Sequence, residues 1–212
     1  DEFRIRLAAH RLGARQHAFA LPDARRRVLH HRRAVRGGDL QVVEGQLGAV
    51  ALDLRDSDSA GGYRTVVGVV YDPFAVELWT AIRGKPARLN GRSIRVSDRR
   101  KLADTIVSVG FGKDAEALSR MLPMMQRLGH RVRKIRIMGS AALALTYVAS
   151  GRFDAYVEPR LRLWDIAAGG LIVECAGGVY RPRPLAGEHA FEVIASNGPL
   201  HRPLERQIKQ TP

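Results

Sequence analysis

The chain has one cysteine in 212 residues, Cys175. An internal disulfide is therefore excluded, and the usage fits a reducing compartment. No apolar run approaches the roughly 20 residues that a membrane span needs, so no membrane association is expected. The polar, Arg-rich opening shows no apolar core of the kind a secretory leader carries, and a cytoplasmic setting is the expectation. Aromatic residues are scarce at 6%. Lysine is nearly missing, with 5 Lys against 30 Arg. Acids are short as well, 21 against 35 basic residues, which leaves a formal net charge of +14.

A surplus of that size favours anionic partners through long-range electrostatics, nucleic acid or small phosphorylated molecules among them. Its distribution is uneven: residues 1–36 hold ten Arg, four His and three acids, which is half of the surplus. Arg25-Arg26-Arg27 and His30-His31-Arg32-Arg33 are charge runs, and Gly37-Gly38 breaks the chain after them. This arm matches no named nucleic-acid module and contains only Phe3 and Phe19 as aromatics, so nucleic acid is not the expected partner. Adjacent residues such as His30 and His31 point apart on a helix or strand, which argues against a metal pair. Its pattern allows a short helix around Ala24–His31. Residues 1–46 are read as a basic segment, atypical or disordered, and residues 47–212 as the folded domain. The Arg/His/Ala-rich composition is also what GC-rich coding sequence yields when read out of frame.

What is present begins at Leu47. Hydrophobic content of 45% is that of a globular chain. Leu47–Leu54, Arg64–Tyr71 and Glu77–Ile82 read as strands, with Asp72-Pro73 turning the last two into each other. Asn90-Gly91 is a strong hairpin signal leading into Ser93–Ser97, and the whole reads as an antiparallel meander. Beyond a short linker, Lys101–Asp104, strands and helices alternate. Thr105–Gly110 is a strand, Ala115–Leu128 an amphipathic helix and Val132–Ile137 a strand whose Arg131, Arg133, Lys134 and Arg136 make a solvated face. Ser140 caps a helix to about Ala149, and Phe153–Val157 is a buried strand. Val179–Arg181 and Glu192–Ala195 are the last strands, with a Pro-rich loop at Pro182–Glu188 between them, and a helix from Pro199 to Lys209 closes the chain. The alternation favours layered α/β packing.

The stretch Trp164-Asp165-Ile166-Ala167-Ala168-Gly169-Gly170, continuing through Leu171–Gly178, organises the rest. Asp165 reads as a helix N-cap, where a carboxylate accepts an orphaned backbone N–H. Ala167, Ala168, Gly169 and Gly170 leave little side chain, so this helix can press closely on its neighbours. Gly177-Gly178 lets the chain turn out of it. Cys175, inside the apolar run, reads as a small buried side chain. The plain interpretation is a capped core helix with a solvated cap; the functional one is a carboxylate held at a helix N-terminus by a rigid buried element.

The residues around it favour the functional one. Gly139-Ser140-Ala141-Ala142-Leu143, the strand Phe153–Glu158, the seven-residue spacing from Glu158 to Asp165 and the Trp-Asp-x-Ala-Ala-Gly signature together resemble the inositol monophosphatase family. Gly68–Pro73, Arg88–Gly91 and Ile94–Ser97 are similar to its strand-turn-strand and Asn-Gly hairpin. The resemblance runs from Leu47 to Gln210. It implies an α/β layered sandwich of sheets and helices, and Mg²⁺-dependent hydrolysis of a small phosphorylated polyol or sugar. Dimers are common in that family, so the resemblance admits a homodimer and leaves the oligomeric state open. By the same resemblance Asp165 is a metal ligand, Glu158 contacts substrate hydroxyls, and Gly139, Ser140 and Ala141 line the substrate site. Acidic residues suit the task because Mg²⁺ is hard and takes oxygen ligands, and paired ions can clamp a phosphate and activate water.

The family also carries an upstream Asp-Pro-hydrophobic-Asp-Gly-Thr motif and an earlier Glu-Glu pair. Counting back places that motif at Arg33-Ala34-Val35-Arg36-Gly37-Gly38, where arginine stands at both aspartate positions and the threonine is missing. No residue is therefore assigned the catalytic step, and impaired activity is the expectation. The alternative is a non-catalytic pseudo-phosphatase that serves as a binding subunit for phosphorylated ligands or RNA.

Overall fold

A computed structural model of the chain describes residues 33–35, 38–44, 50–57, 63–112, 115–186 and 190–209. The first half is a meander: β1 (Arg33–Val35), β2 (Gly38–Glu44), β3 (Val50–Ser57), β4 (Tyr63–Asp72), β5 (Glu77–Ile82), β6 (Arg88–Leu89) and β7 (Arg92–Ser93). They form one sheet in chain order, each antiparallel to the last. Local chemistry sets its turns. Asp72 Oδ1 accepts from the backbone N–H of Phe74 (2.9 Å) and of Ala75 (3.2 Å), which closes the β4–β5 turn. Asn90 and Gly91 both take positive φ, 48° and 81°, as a two-residue hairpin turn requires.

Several boundaries move. β3 starts at Val50 and extends past Leu54 to Ser57, because β2 and β4 supply ladder partners on both sides of its polar end. Residues 45–49 lie outside the described ones, as do Ala24–His31 with the His30-His31 pair. β1 and β2 fall inside the segment that the sequence reads as atypical. Arg33 of β1 pairs opposite Leu40 of β2, so Arg33–Val35, at the place of the family's metal motif, lie on a strand, and no helix follows directly among the described residues. The expected strand Ser93–Ser97 ends after Ser93. Beyond it, Ile94 N–H bonds Ala87 O (2.9 Å) and Val96 N–H bonds Ala176 O (3.2 Å), so this segment leaves the sheet to meet the end of the central helix.

The second half alternates. A 3₁₀ turn (Leu102–Asp104) leads to β8 (Ile106–Val109), α1 (Ala115–Gly129), β9 (Lys134–Arg136), α2 (Ala141–Ala149), β10 (Ala155–Arg162), α3 (Leu163–Cys175), β11 (Val179–Pro184), β12 (Ala190–Ser196) and α4 (His201–Lys209). The strands make a mixed sheet in the order β11-β12-β10-β8-β9, with β8 parallel to β9 and β10 and the rest antiparallel. The Pro-rich loop expected from Pro182 starts later, because Pro182 and Pro184 sit on β11, an edge strand that can do without their N–H groups.

Side-chain alternation along β10 divides the core. Ala155 and Val157 join α1 and α4 in one apolar cluster with Met121, Leu128, Leu200 and Leu204. Tyr156 faces the other way, into a cluster that contains α2, α3 and, from the meander, Val70, Trp79 and Ala81. The layers therefore run sheet, helix pair, sheet, helix pair. α3 lies in the middle and is buried all round from Ile166 to Val173. Its small residues are what admit the neighbours. A Cβ on Gly68 of β4 would stand 2.7 Å from the Ala168 carbonyl, and one on Gly169 would stand 2.8 Å from Leu145 of α2. A Cβ on Gly170 would overlap the Tyr180 ring of β11. Each exceeds what side-chain packing tolerates, so the glycines are spatial requirements.

Candidate active site

The site lies where β10 ends and α3 begins. β10 pairs with β12 in regular register up to Glu158 opposite Val193, then shifts before Leu161 meets Phe191. Pro159 has no N–H for the ladder, and a bulge at that point re-aims the chain. The strand runs straight into α3 at Leu163 with no intervening loop.

Asp165 is not the N-cap that the sequence suggests. Arg162 occupies that position, and Asp165 is the third residue of the helix. Its Oδ2 accepts the Arg162 backbone N–H at 3.2 Å, which is the acidic half of a capping box. A cap side chain would accept an N–H of the first turn; from the third position Asp165 accepts the N–H of the cap residue itself. Burial raises the Asp165 carboxyl above its ordinary range, opposed by the Arg162 N–H and guanidinium.

Glu158 is half-buried on β10 and accepts a short hydrogen bond from the Tyr156 hydroxyl. Its carboxyl is pushed up to about 7, first by burial and then by the charge of Asp165, while the tyrosine bond pulls the other way. Tyr156 itself is held well above its usual range by burial and by Glu158 and Asp165, so it stays protonated and donates. The structure thus brings Glu158 and Asp165 into one electrostatic field. A carboxyl near half-protonation at neutral pH can donate to a ligand hydroxyl as well as accept from one.

Gly139, Ser140 and Ala141 open α2. Ser140 is its N-cap as expected, with Oγ accepting the Leu143 N–H at 3.4 Å. Gly139 has φ of 73°, a conformation that glycine adopts without cost. Among the described residues no hydrogen bond ties Ser140 to Glu158 or Asp165. The sequence reading missed Tyr156, whose signal is its position two residues before Glu158 on the same strand face. Cys175 donates its thiol to the Ile82 carbonyl at 3.6 Å, and burial pushes that thiol up, as suits a structural cysteine.

The model of the inositol monophosphatase family matches residues 60–205. The chain belongs to that family. A protein named Nus factor SuhB from Pasteurella multocida (strain Pm70) is 49% identical over 117 residues, 55% of this chain and 44% of the relative. Nus factor SuhB of Pseudomonas aeruginosa is 40% identical over 148 residues, 66% of this chain and 54% of the relative. The chain thus spans about half the length of these curated relatives. Among solved structures, extragenic suppressor protein SuhB from Bartonella henselae superposes with a TM-score of 0.68 at 36% identity, covering 77% of this chain and 62% of that one. Inositol monophosphatase from Anabaena (Nostoc) sp. PCC 7120 gives 0.69 at 35% identity, covering 77% and 64%. The α/β layered sandwich expected from the sequence is the inositol monophosphatase fold. The expectation against nucleic acid finds no support in these relatives.

The inositol monophosphatase family generally uses Mg²⁺. Among the described residues no group of three or more His, Cys, Asp and Glu side chains could hold a metal ion. Asp165 has one oxygen engaged by the Arg162 backbone N–H, and Glu158 has one engaged by the Tyr156 hydroxyl. These two carboxyls are oxygen donors of the kind Mg²⁺ takes, but among the described residues they are too few to complete its shell. Among the described residues no helix is long and apolar enough to cross a membrane.

Proposed function

We propose that this chain carries the ligand-recognition half of an inositol monophosphatase site. It binds a small phosphorylated polyol or sugar, Glu158 meets the ligand hydroxyls, Gly139, Ser140 and Ala141 line the site, and phosphate release is weak. The observation that carries the reading is the Glu158–Asp165 pair, two partly buried acids at the β10–α3 junction with no third acid beside them among the described residues. Asp165 keeps the family's metal-ligand position and here acts on the helix start. A cytoplasmic setting accompanies this reading, supported by the single cysteine, and a homodimer is its assembly.

Calorimetric titration of inositol 1-phosphate, with and without Mg²⁺, alongside phosphate release, tests it. The expected result is binding with release near background in both conditions. Fast Mg²⁺-dependent release that disappears in Asp165→Asn would replace it with the full phosphatase reading. No binding in either condition would remove the site.

A second reading has its own support, since relatives that share the fold carry the name Nus factor SuhB and the charge surplus suits anionic partners. In that reading the chain is a non-catalytic interaction subunit. Polyanion binding that weakens steeply with salt, unaffected by Glu158→Gln, would favour it.

A further inference from the structure

β8 and β10 are parallel neighbours, with Val107 opposite Ala155 and Ser108 opposite Tyr156. The face that carries Tyr156 and Glu158 on β10 is therefore the face that carries Ser108 and Gly110 at the end of β8. Both are small, and Gly110 is the residue that follows β8. Ser108 is fully buried, and Gly110 continues the ladder by donating its N–H to the Val157 carbonyl at 3.0 Å.

Gly110 is not a conformational requirement, because its φ is not positive and any residue could adopt its backbone. It is a spatial one. A Cβ at this position would overlap the Glu158 carboxylate and stand 3.1 Å from the Tyr156 hydroxyl. The carboxylate thus occupies the volume where another residue would keep its side chain, and the Tyr156 hydroxyl holds it there from the buried side. The charged and titratable groups that face this carboxyl are Tyr156 on its own strand and Asp165 on α3, with Tyr180 of β11 acting on Tyr156.

We propose that Gly110 and Tyr156 are positioning residues for Glu158: the empty side-chain volume at 110 seats the carboxyl, and the tyrosine hydroxyl fixes its orientation toward a ligand hydroxyl. This rests on the reading above that Glu158 contacts the ligand. The clamp predicts that Glu158 is oriented before any ligand arrives, so little ordering remains to be done on binding.

The test uses the full chain with carbon-13 in its glutamate carboxyls, followed by NMR across pH, in wild type, Glu158→Gln, Tyr156→Phe and Gly110→Ala. Inositol 1-phosphate is titrated into the same four proteins. One carboxyl should titrate near 7 in wild type and be missing in Glu158→Gln, which assigns it. In Tyr156→Phe it should move further up, since the lost hydrogen bond favoured the ionised form. Inositol 1-phosphate binding should weaken about tenfold in Tyr156→Phe and at least as much in Gly110→Ala. A purely structural tyrosine would lower the unfolding temperature and leave the Glu158 titration where it was, and that result overturns the proposal. If Glu158→Gln loses binding while Tyr156→Phe and Gly110→Ala keep wild-type binding and titration, the positioning roles fail and the ligand reading stands. If Glu158→Gln binds as wild type does, the ligand reading fails, and the Tyr156→Phe titration alone decides whether the clamp exists.

Discussion

Two acids four residues apart, one just before β10 and one on it, live in opposite circumstances. Asp154, just before the strand, is fully buried and has every side of its carboxylate occupied. It accepts from Ser97 Oγ at 2.5 Å, from Arg99 Nη1 at 2.9 Å and from the Ile106 N–H at 2.7 Å, while its backbone carbonyl takes the Asn197 N–H at 3.0 Å. Asn197 closes the knot by donating to Ser97 Oγ (3.0 Å) and to the Arg99 carbonyl (2.7 Å). Glu158, midway along the strand, is less buried, has a tyrosine as its hydrogen-bond donor and a second acid as its neighbour. Burial alone thus does not mark a functional acid. Asp154 is saturated with donors and stitches the 97–99 segment, β8 and the entry to α4 together. Glu158 has one hydrogen-bond donor among the described residues, the Tyr156 hydroxyl, and keeps acceptor capacity that Asp154 has already used.

The contrast breaks or holds on stability. Asp154→Ala should cost the most, about 3–5 kcal/mol in urea unfolding, because it orphans the Ile106 N–H, removes the acceptor of the half-buried Ser97 hydroxyl and leaves Arg99 without its carboxylate. A cost under about 1 kcal/mol would mean that solvent replaces the knot freely and that the two acids are not different in kind. Glu158 should behave in the reverse sense. Its carboxyl is raised from 4.5 in the unfolded chain to about 7 in the fold. A raised acid binds its proton more tightly when folded, so its contribution is fully present below 4.5 and is lost as pH climbs to about 7. The loss is on the order of 3 kcal/mol, roughly 1.4 kcal/mol for each pH unit between 4.5 and about 7. Glu158→Gln cannot ionise, so it should be more stable than wild type at pH 8 and should flatten the stability profile across that window. Parallel wild-type and variant profiles would place Glu158 with Asp154 as a structural acid.

Much of the fold was legible because its signals are local. β5 is Glu77–Ile82 in both readings, the Asn90-Gly91 turn has the backbone that its residues demand, and Ser140 caps α2. The Glu158–Asp165 spacing is local too, and it brings the two acids into one field. What a linear reading could not reach is set by partners distant in sequence. Gly110 looks like an ordinary strand end until β8 is laid beside β10, and Asp154 looks like a turn residue until Ser97, Arg99 and Asn197 converge on it. The misplaced cap at Asp165 has a different cause. An acid at a helix start can satisfy an orphan N–H from the cap or from the third position, and composition does not distinguish them. The decision came from β10, which continues to Arg162 and fixes the helix start at Leu163.

Ser140 offers the smallest and most discriminating test, because it belongs to neither class of acid. Its hydroxyl is a helix cap, but the bond to the Leu143 N–H is long at 3.4 Å, so it contributes at the low end of what caps do. Ser140→Ala should therefore cost about 0.5 kcal/mol of stability. If the hydroxyl also faces the ligand, the same change should weaken inositol 1-phosphate several-fold, an effect out of proportion to the lost cap. Ser140→Thr, which keeps the hydroxyl, should restore both. A large loss of stability with binding unchanged would assign Ser140 to the scaffold beside Asp154, and the recognition site would then rest on Glu158 and the two residues that hold it. A small loss of stability with a clear loss of binding would extend the recognition site from the end of β10 to the start of α2, which is the extent that a ligand bearing both hydroxyls and a phosphate would need.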